Sequence, residues 1–172
     1  ENGFIDILRF DLICDANPAV VSNSVATLCE MSANSGRMLL PVSNGNSSTE
    51  ASMSADTVGR LLTALNECSE WGQGYILDEI GRYYSPVLSA SNEVDGVLDR
   101  VTPRLSHANC AVVLSAVRVV VRLLDRVTNP DRIRTLCHKL AAPLVTLLSS
   151  SAEPEIQYVV LRNIALIVQK RP

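Results

Sequence analysis

Aromatic side chains make up only 4% of these 172 residues: two phenylalanines, four tyrosines and one tryptophan. Sandwich and barrel cores draw heavily on aromatic and β-branched cross-strand pairs, so this scarcity argues against an all-β fold. Long hydrophobic runs are missing as well. The charge-free stretches 110–117 and 140–152 fall short of the ~18 apolar residues that suggest a membrane span, and no helix is expected to cross a bilayer. Positive charge is in deficit: 15 Lys and Arg stand against 18 Asp and Glu, a net charge of −3. The chain as a whole lacks the basic field that nucleic-acid binding requires. The chain opens on Glu1 with no initiator methionine and no basic-then-apolar leader, and it stops at Lys170-Arg171-Pro172 after an apolar run, so both ends read as cut from something longer. Without a leader, the sequon Asn46-Ser47-Ser48 is expected to be unused.

Catalytic and metal-binding vocabulary is equally thin. No Gly-x-Ser-x-Gly elbow occurs, and two histidines leave a Ser/His/Asp arrangement little to draw on. Zinc would need converging ligands, yet His107 with Cys110 and the adjacent Cys137-His138 bring no second close pair at ligand spacing. His107 reads better as a capping or surface residue and Cys110 as core. The five cysteines, at 14, 29, 68, 110 and 137, form an odd set without Cys-x-x-Cys, each within an apolar helical pattern. Buried free thiols in a reducing compartment are the expectation. Gly72-Gln73-Gly74 begins like a dinucleotide loop, but no strand precedes it and Leu77 holds the third glycine position; close helix approach is the plainer reading. Asp78 and Glu79 are sequence neighbours, about 100° apart on a helix, and poor partners for acid–base work. No cofactor, no metal and no enzymatic activity are expected.

What the chain does have is repetition. Apolar residues make up 47% of it, and Asn17-Pro-Ala-Val-Val-Ser-Asn-Ser-Val returns as Asn109-Cys-Ala-Val-Val-Leu-Ser-Ala-Val. A looser copy is Glu153-Pro-Glu-Ile-Gln-Tyr-Val-Val-Leu, and a fourth, Glu70-Trp-Gly-Gln-Gly-Tyr-Ile-Leu, falls inside the gap. Val20 maps to Val112 after 92 residues and Val112 to Ile156 after 44, an average period within the ~40–47 residues of HEAT and armadillo repeats. An earlier helix precedes each copy: Gly3 to Cys14, Ala55 to Asn66, Glu93 to Leu105, and Asp131 to Leu148. The expected fold is therefore all-α, an armadillo/HEAT-like α-solenoid forming a right-handed superhelix of helical hairpins. Residues 1–172 form a single interior segment with hairpins at 1–33, 55–84, 92–126 and 130–171.

Local signals refine this. Over 109–124, Ser115, Arg118, Arg122 and Asp125 make a narrow polar stripe on an otherwise apolar helix that must be packed on several sides. The run 159–168 is apolar apart from Arg162 and Asn163, as for a helix enclosed by its partner and neighbouring repeats. Pro103 and Pro143 sit at matching depth in first helices and predict a kink or break. Asn129-Pro130-Asp131 reads as a turn opening a helix, and 149–154 as a loop with Pro154 near the first turn of the last helix. The Ser- and Asn-rich segment 41–54 is expected to be a flexible polar loop.

Charge is unevenly divided. Residues 1–99 hold four arginines and fourteen acidic residues, a balance of −10, whereas 100–172 hold eleven basic and four acidic residues, a balance of +7. In the basic part Arg100 and Arg104 lie a turn apart, and Arg118, Arg122 and Arg126 recur every four residues. These five form the candidate docking surface for an acidic partner; the alternative is a solvated face tempered by Asp125.

The segments 61–80 (LLTALNECSEWGQGYILDEI), 100–117 (RVTPRLSHANCAVVLSAV) and 143–172 (PLVTLLSSSAEPEIQYVVLRNIALIVQKRP) closely resemble the trunk of the β-adaptins, the β large subunits of clathrin adaptor complexes. The opening Gly3-Phe-Ile-Asp through Ala26 is similar to the preceding part of that trunk, and the forms shared by the first and second adaptor complexes match best. The resemblance implies a scaffold in a heterotetramer with a second large, a medium and a small subunit. It implies cargo sorting in vesicle-mediated transport on the cytosolic face of trans-Golgi, endosomal or plasma membranes, and so a cytoplasmic protein in coated vesicles. Clathrin would be bound through regions outside this segment, the membrane peripherally through the complex, and no nucleic acid is implied. The departures are the polar loop, the stretch 81–96, and Gly74 where a bulky residue is expected. Another helical scaffold, such as a transport receptor, coatomer-like coat or phosphatase scaffold, would share the hairpins but not Trp71-Gly-Gln or Gln157-Tyr-Val-Val-Leu-Arg-Asn.

Overall fold

The structure, a computed structural model, describes residues 2–36, 39, 55–83 and 91–170. The α-helices are α1 (Asn2–Asp6), α2 (Pro18–Ser35), α3 (Ala55–Ala64), α4 (Glu70–Tyr83), α5 (Ser91–Val101), α6 (Cys110–Leu123), α7 (Pro130–Ser150) and α8 (Pro154–Lys170). A π turn at Ile7–Asp11 and 3-10 turns at Leu12–Cys14, Thr102–Ser106 and Leu124–Arg126 complete the helical content, and no strand occurs among the described residues. The expected all-α class is the one observed. The polar stretch 41–54 lies outside the described residues. Contacts divide the chain into two units, Glu1–Leu88 and Ser89–Pro172.

The repeated asparagine is a helix cap. Asn17, Asn109 and Asn129 each adopt extended backbone just before α2, α6 and α7. Their side-chain oxygens accept from the amides of Ala19, Ala111 and Asp131, each at 2.9 Å. Each cap satisfies a donor that the first helical turn would otherwise leave without a partner. Pro18 and Pro130 follow at the first helical position, where no donor is needed. In the turn between Thr102–Ser106 and α6, His107 Nδ1 accepts from the Asn109 amide at 3.0 Å, a turn-stabilising role in keeping with the sequence.

In the first unit, α2 buries Val21, Val25 and Leu28, spaced to share one face, against α3 (Val58, Leu61, Leu62) and α4 (Ile76, Leu77, Ile80). A Cβ placed on Gly72 would stand 2.7 Å from the Ser22 Cβ, so close approach is the role of that glycine, whereas nothing lies within 4 Å of one placed on Gly74. Gly36 ends α2 in the left-handed region at φ 66°, with its amide donating to the Ser32 carbonyl at 2.9 Å. The first helix, expected as one element over 3–14, instead changes register twice, from α to π to 3-10. Leu8 and Ile13 are its buried residues. They lie five apart, and the i→i+5 bonding of the π turn brings such residues to one side.

In the second unit, α6 buries residues on most of its surface, from Val112 to Leu123, against α5, α7 and α8. Ser115, read as part of the polar stripe, is buried; Arg118, Arg122 and Asp125 are exposed. Pro103 and Pro143 behave differently. Helix α5 stops at Val101 and a 3-10 turn carries Leu105 into the core, whereas α7 continues through Pro143. Leu136, Leu140 and Leu144 recur every four residues, all buried, so an unbroken apolar stripe spans the missing bond. Helix α8 is less enclosed than its composition suggests: Val160 is buried, but Tyr158, Leu161, Leu166 and Val168 are exposed, because α6 and α7 cover only one side of it.

The thiols correct the expectation of uniform burial. Cys29 and Cys68 are buried, Cys110 and Cys137 are half-buried, and Cys14 is exposed on the 3-10 turn that ends the first helical segment.

Candidate docking groove

Helix α6 begins at its Asn109 cap, and from there the 3.6-residue period places Arg118 and Arg122 one turn apart on its exposed edge. Helix α8 contributes two further pairs at four-residue spacing, Val159 with Asn163 and Arg162 with Leu166. Together with Val121 these residues line a groove of about 380 Å³ between the helices. The Asn163 amide donates to the Val159 carbonyl at 2.8 Å, which commits one of its two N–H donors to α8. The groove thus presents three guanidiniums and three aliphatic side chains, and its lining holds no histidine, cysteine, serine or carboxylate. Such a surface can bind an anion through planar, bidentate donors but has no group that could attack or relay a proton.

Of the five arginines singled out from the sequence, the groove takes Arg118 and Arg122. Arg126 lies on the 3-10 turn after α6, where the tighter three-residue period departs from the α-helical line. Arg100 closes α5 and Arg104 sits in the 3-10 turn that follows; neither is among the lining residues. Arg162 is the cation sequence reasoning missed. Its signal was present, because Arg162 and Asn163 were the two polar interruptions of an apolar run, and both line the groove.

Arg132, near the start of α7, was also missed. It pairs with Asp99 and with Asp95, the latter at 3.6 Å, two carboxylates one turn apart on α5. The Asp99 hydrogen bond is the main reason its guanidinium holds its proton even more firmly than usual. In the first unit Glu79 is 1% exposed, with its Oε1 3.2 Å from Arg82 Nη1. Burial raises the pKa of its carboxyl, while the neighbouring Cys29 thiol and Arg82 pull it partly back. Cys29 is itself pushed far above the ordinary thiol range, first by burial and then by the Glu79 charge. Asp78 is only half-buried, so the two adjacent carboxylates do occupy different environments. Among the described residues no three His, Cys, Asp or Glu side chains gather as metal ligands would, and no helix is long and apolar enough to cross a membrane.

Comparison with known proteins extends these observations. The family model described as the adaptin N-terminal region matches residues 3–172. The chain is 49% identical over 173 residues to the human AP-1 complex subunit beta-1, covering 100% of this chain and 16% of that protein. It is 49% identical to the AP-1 complex subunit beta of Dictyostelium discoideum, again over 100% of this chain and 16% of the relative. With the AP-2 complex subunit beta of Schizosaccharomyces pombe the identity is 32%, over 100% of this chain and 23% of the relative. The chain therefore spans under a quarter of the length of these relatives. A crystal structure of an engineered protein from the Northeast Structural Genomics Consortium superposes with a TM-score of 0.50 at 15% identity, over 97% of this chain and 63% of that one, a likeness of fold alone. Together with the helical architecture, these matches establish the armadillo/HEAT-like α-solenoid class.

Proposed function

Because the chain belongs to the adaptin N-terminal region family, we propose that it is a non-catalytic scaffold segment of a clathrin adaptor β subunit, acting in vesicle-mediated protein transport and cargo sorting. The single observation that carries this is identity near one half with AP-1 β subunits, sustained across the whole chain. In this reading the helices pair as four consecutive hairpins, at 1–33, 55–84, 92–126 and 130–171, of one trunk. That trunk holds a second large, a medium and a small subunit at the cytosolic face of a membrane, with clathrin recruited by parts of the protein beyond this segment. The physical support is the distribution of side chains. Apolar residues are spent on helix-to-helix packing, and the polar groups gathered at the α6–α8 groove can bind but not catalyse.

The test is co-purification. A tagged full-length protein is expected to bring down a second large, a medium and a small adaptor subunit from cell extract in comparable amounts. Recovery of none of the three would overturn the reading.

A further inference from the structure

The α6–α8 groove sets two kinds of wall side by side, and they ask different things of an occupant. Arg118, Arg122 and Arg162 offer planar forks that match carboxylate or phosphate oxygens. Val121, Val159 and Leu166 offer an apolar surface that gains only from another apolar group. A lipid head group or free phosphate would satisfy the first wall and leave the second wet. A polypeptide carrying acidic and aliphatic side chains satisfies both. We infer that this groove docks a short extended acidic–aliphatic segment of another protein, its two carboxylates shared among Arg118, Arg122 and Arg162 and an aliphatic side chain against Val121, Val159 and Leu166.

Spacing supports the extended form. Residues four apart on a helix are separated by about 6 Å along its axis, and alternate residues of an extended peptide, which point to one side, by about 6.6 Å. Arg118 and Arg122 thus meet two acidic residues at alternate positions, and the next residue on that side reaches the aliphatic wall. The volume of about 380 Å³ suits a few side chains rather than a packed helix or domain. The balance of +7 over residues 100–172 favours encounter with an acidic partner. The inference rests on the scaffold reading in taking a polypeptide as the occupant, and it goes beyond that reading in assigning the surface and the chemistry.

Binding of fluorescein-labelled Glu-Ser-Glu-Ser-Leu to the full-length protein, followed by anisotropy at low salt, tests it. The peptide should bind saturably, and the double variant R118Q/R162Q should weaken binding about tenfold, equivalent to about 1.4 kcal/mol. R134Q, which removes an exposed arginine outside the groove, should leave binding unchanged. Glu-Ser-Glu-Ser-Ser should bind more weakly than the leucine peptide, and L166N should narrow that difference. Circular dichroism melts of each variant confirm that the fold is retained. Absence of binding, equal binding by both peptides, or equal losses in R134Q and R118Q/R162Q would overturn the inference. So would vesicles containing an anionic phosphoinositide being bound through these arginines in place of the peptide. Co-purification of adaptor subunits is measured separately, so loss of peptide binding with intact assembly sinks this inference alone, and the converse sinks only the scaffold reading.

Discussion

Gly72 on α4 and Ser22 on α2 meet so closely that a methyl group on the glycine would lie 2.7 Å from the serine Cβ and 2.8 Å from its Oγ. Both partners of the contact are short, and the obstacle includes a Cβ fixed to the backbone of α2, which cannot rotate away. The two helices can therefore approach here only because one position carries no side chain.

Gly72→Ala is expected to destabilise the protein by about 1–3 kcal/mol through overpacking. Gly74→Ala, two residues on and facing open space, is expected to stabilise it by about 0.5–1 kcal/mol through helix propensity. Urea titrations of the two variants should move their midpoints in opposite directions. Ser22→Gly combined with Gly72→Ala should recover part of the loss, the coupling expected of residues in direct contact.

Glu79 makes stability depend on pH in a stated direction. Its folded pKa is raised above the ordinary carboxyl value, with burial as the first cause. The folded state therefore holds the proton more tightly than the unfolded one. Stability from this group is fully present below the ordinary carboxyl range and is lost as pH rises through the folded value. Cys29, Asp78 and Arg82 are the ionisable groups that act on it. Glu79→Gln should raise the melting temperature at neutral pH, and the gain should shrink as the pH falls into the acid range. A gain that stays constant across that range would contradict the assignment.

Asn129 caps α7 twice over, accepting from the amides of Asp131 and Arg132 at 2.9 and 3.3 Å. Asn129→Ala should cost about 1 kcal/mol, and Asn129→Ser considerably less, because a hydroxyl restores a cap. The melting temperatures of the two variants check this.

The caps also show what is legible in the sequence alone. Asn17 and Asn109 stood at the same place in two copies of one motif, and a cap is a local device whose partners lie two residues away. Helix class followed for the same reason, since the period of Val112 to Leu124 is written along a single segment. What was not legible depends on partners distant in sequence or on small differences in register. Over 3–14 a spacing of four and one of five bury similar sets, so the π turn that joins Leu8 to Ile13 left no distinct mark. Pro103 and Pro143 have the same chemistry, and only the buried leucines on both sides of Pro143 explain why α7 persists. The candidate site was half legible: the line through Arg118 and Arg122 lay on one helix, but replacing Arg126 with Arg162 required knowing that α8 lies along α6.

Arg132 answers two carboxylates rather than one, and the difference is one of degrees of freedom. A single ion pair is a pivot about which two rods can still turn. Asp95 and Asp99 are anchors separated along α5 by about 6 Å, one helical turn. Two anchors define a baseline, so turning α7 about either contact stretches the other. The clamp thus restrains angle as well as distance between α5 and α7. Because Asp99 is exposed and Asp95 half-buried, salt slackens the Asp99 anchor more than the Asp95 one.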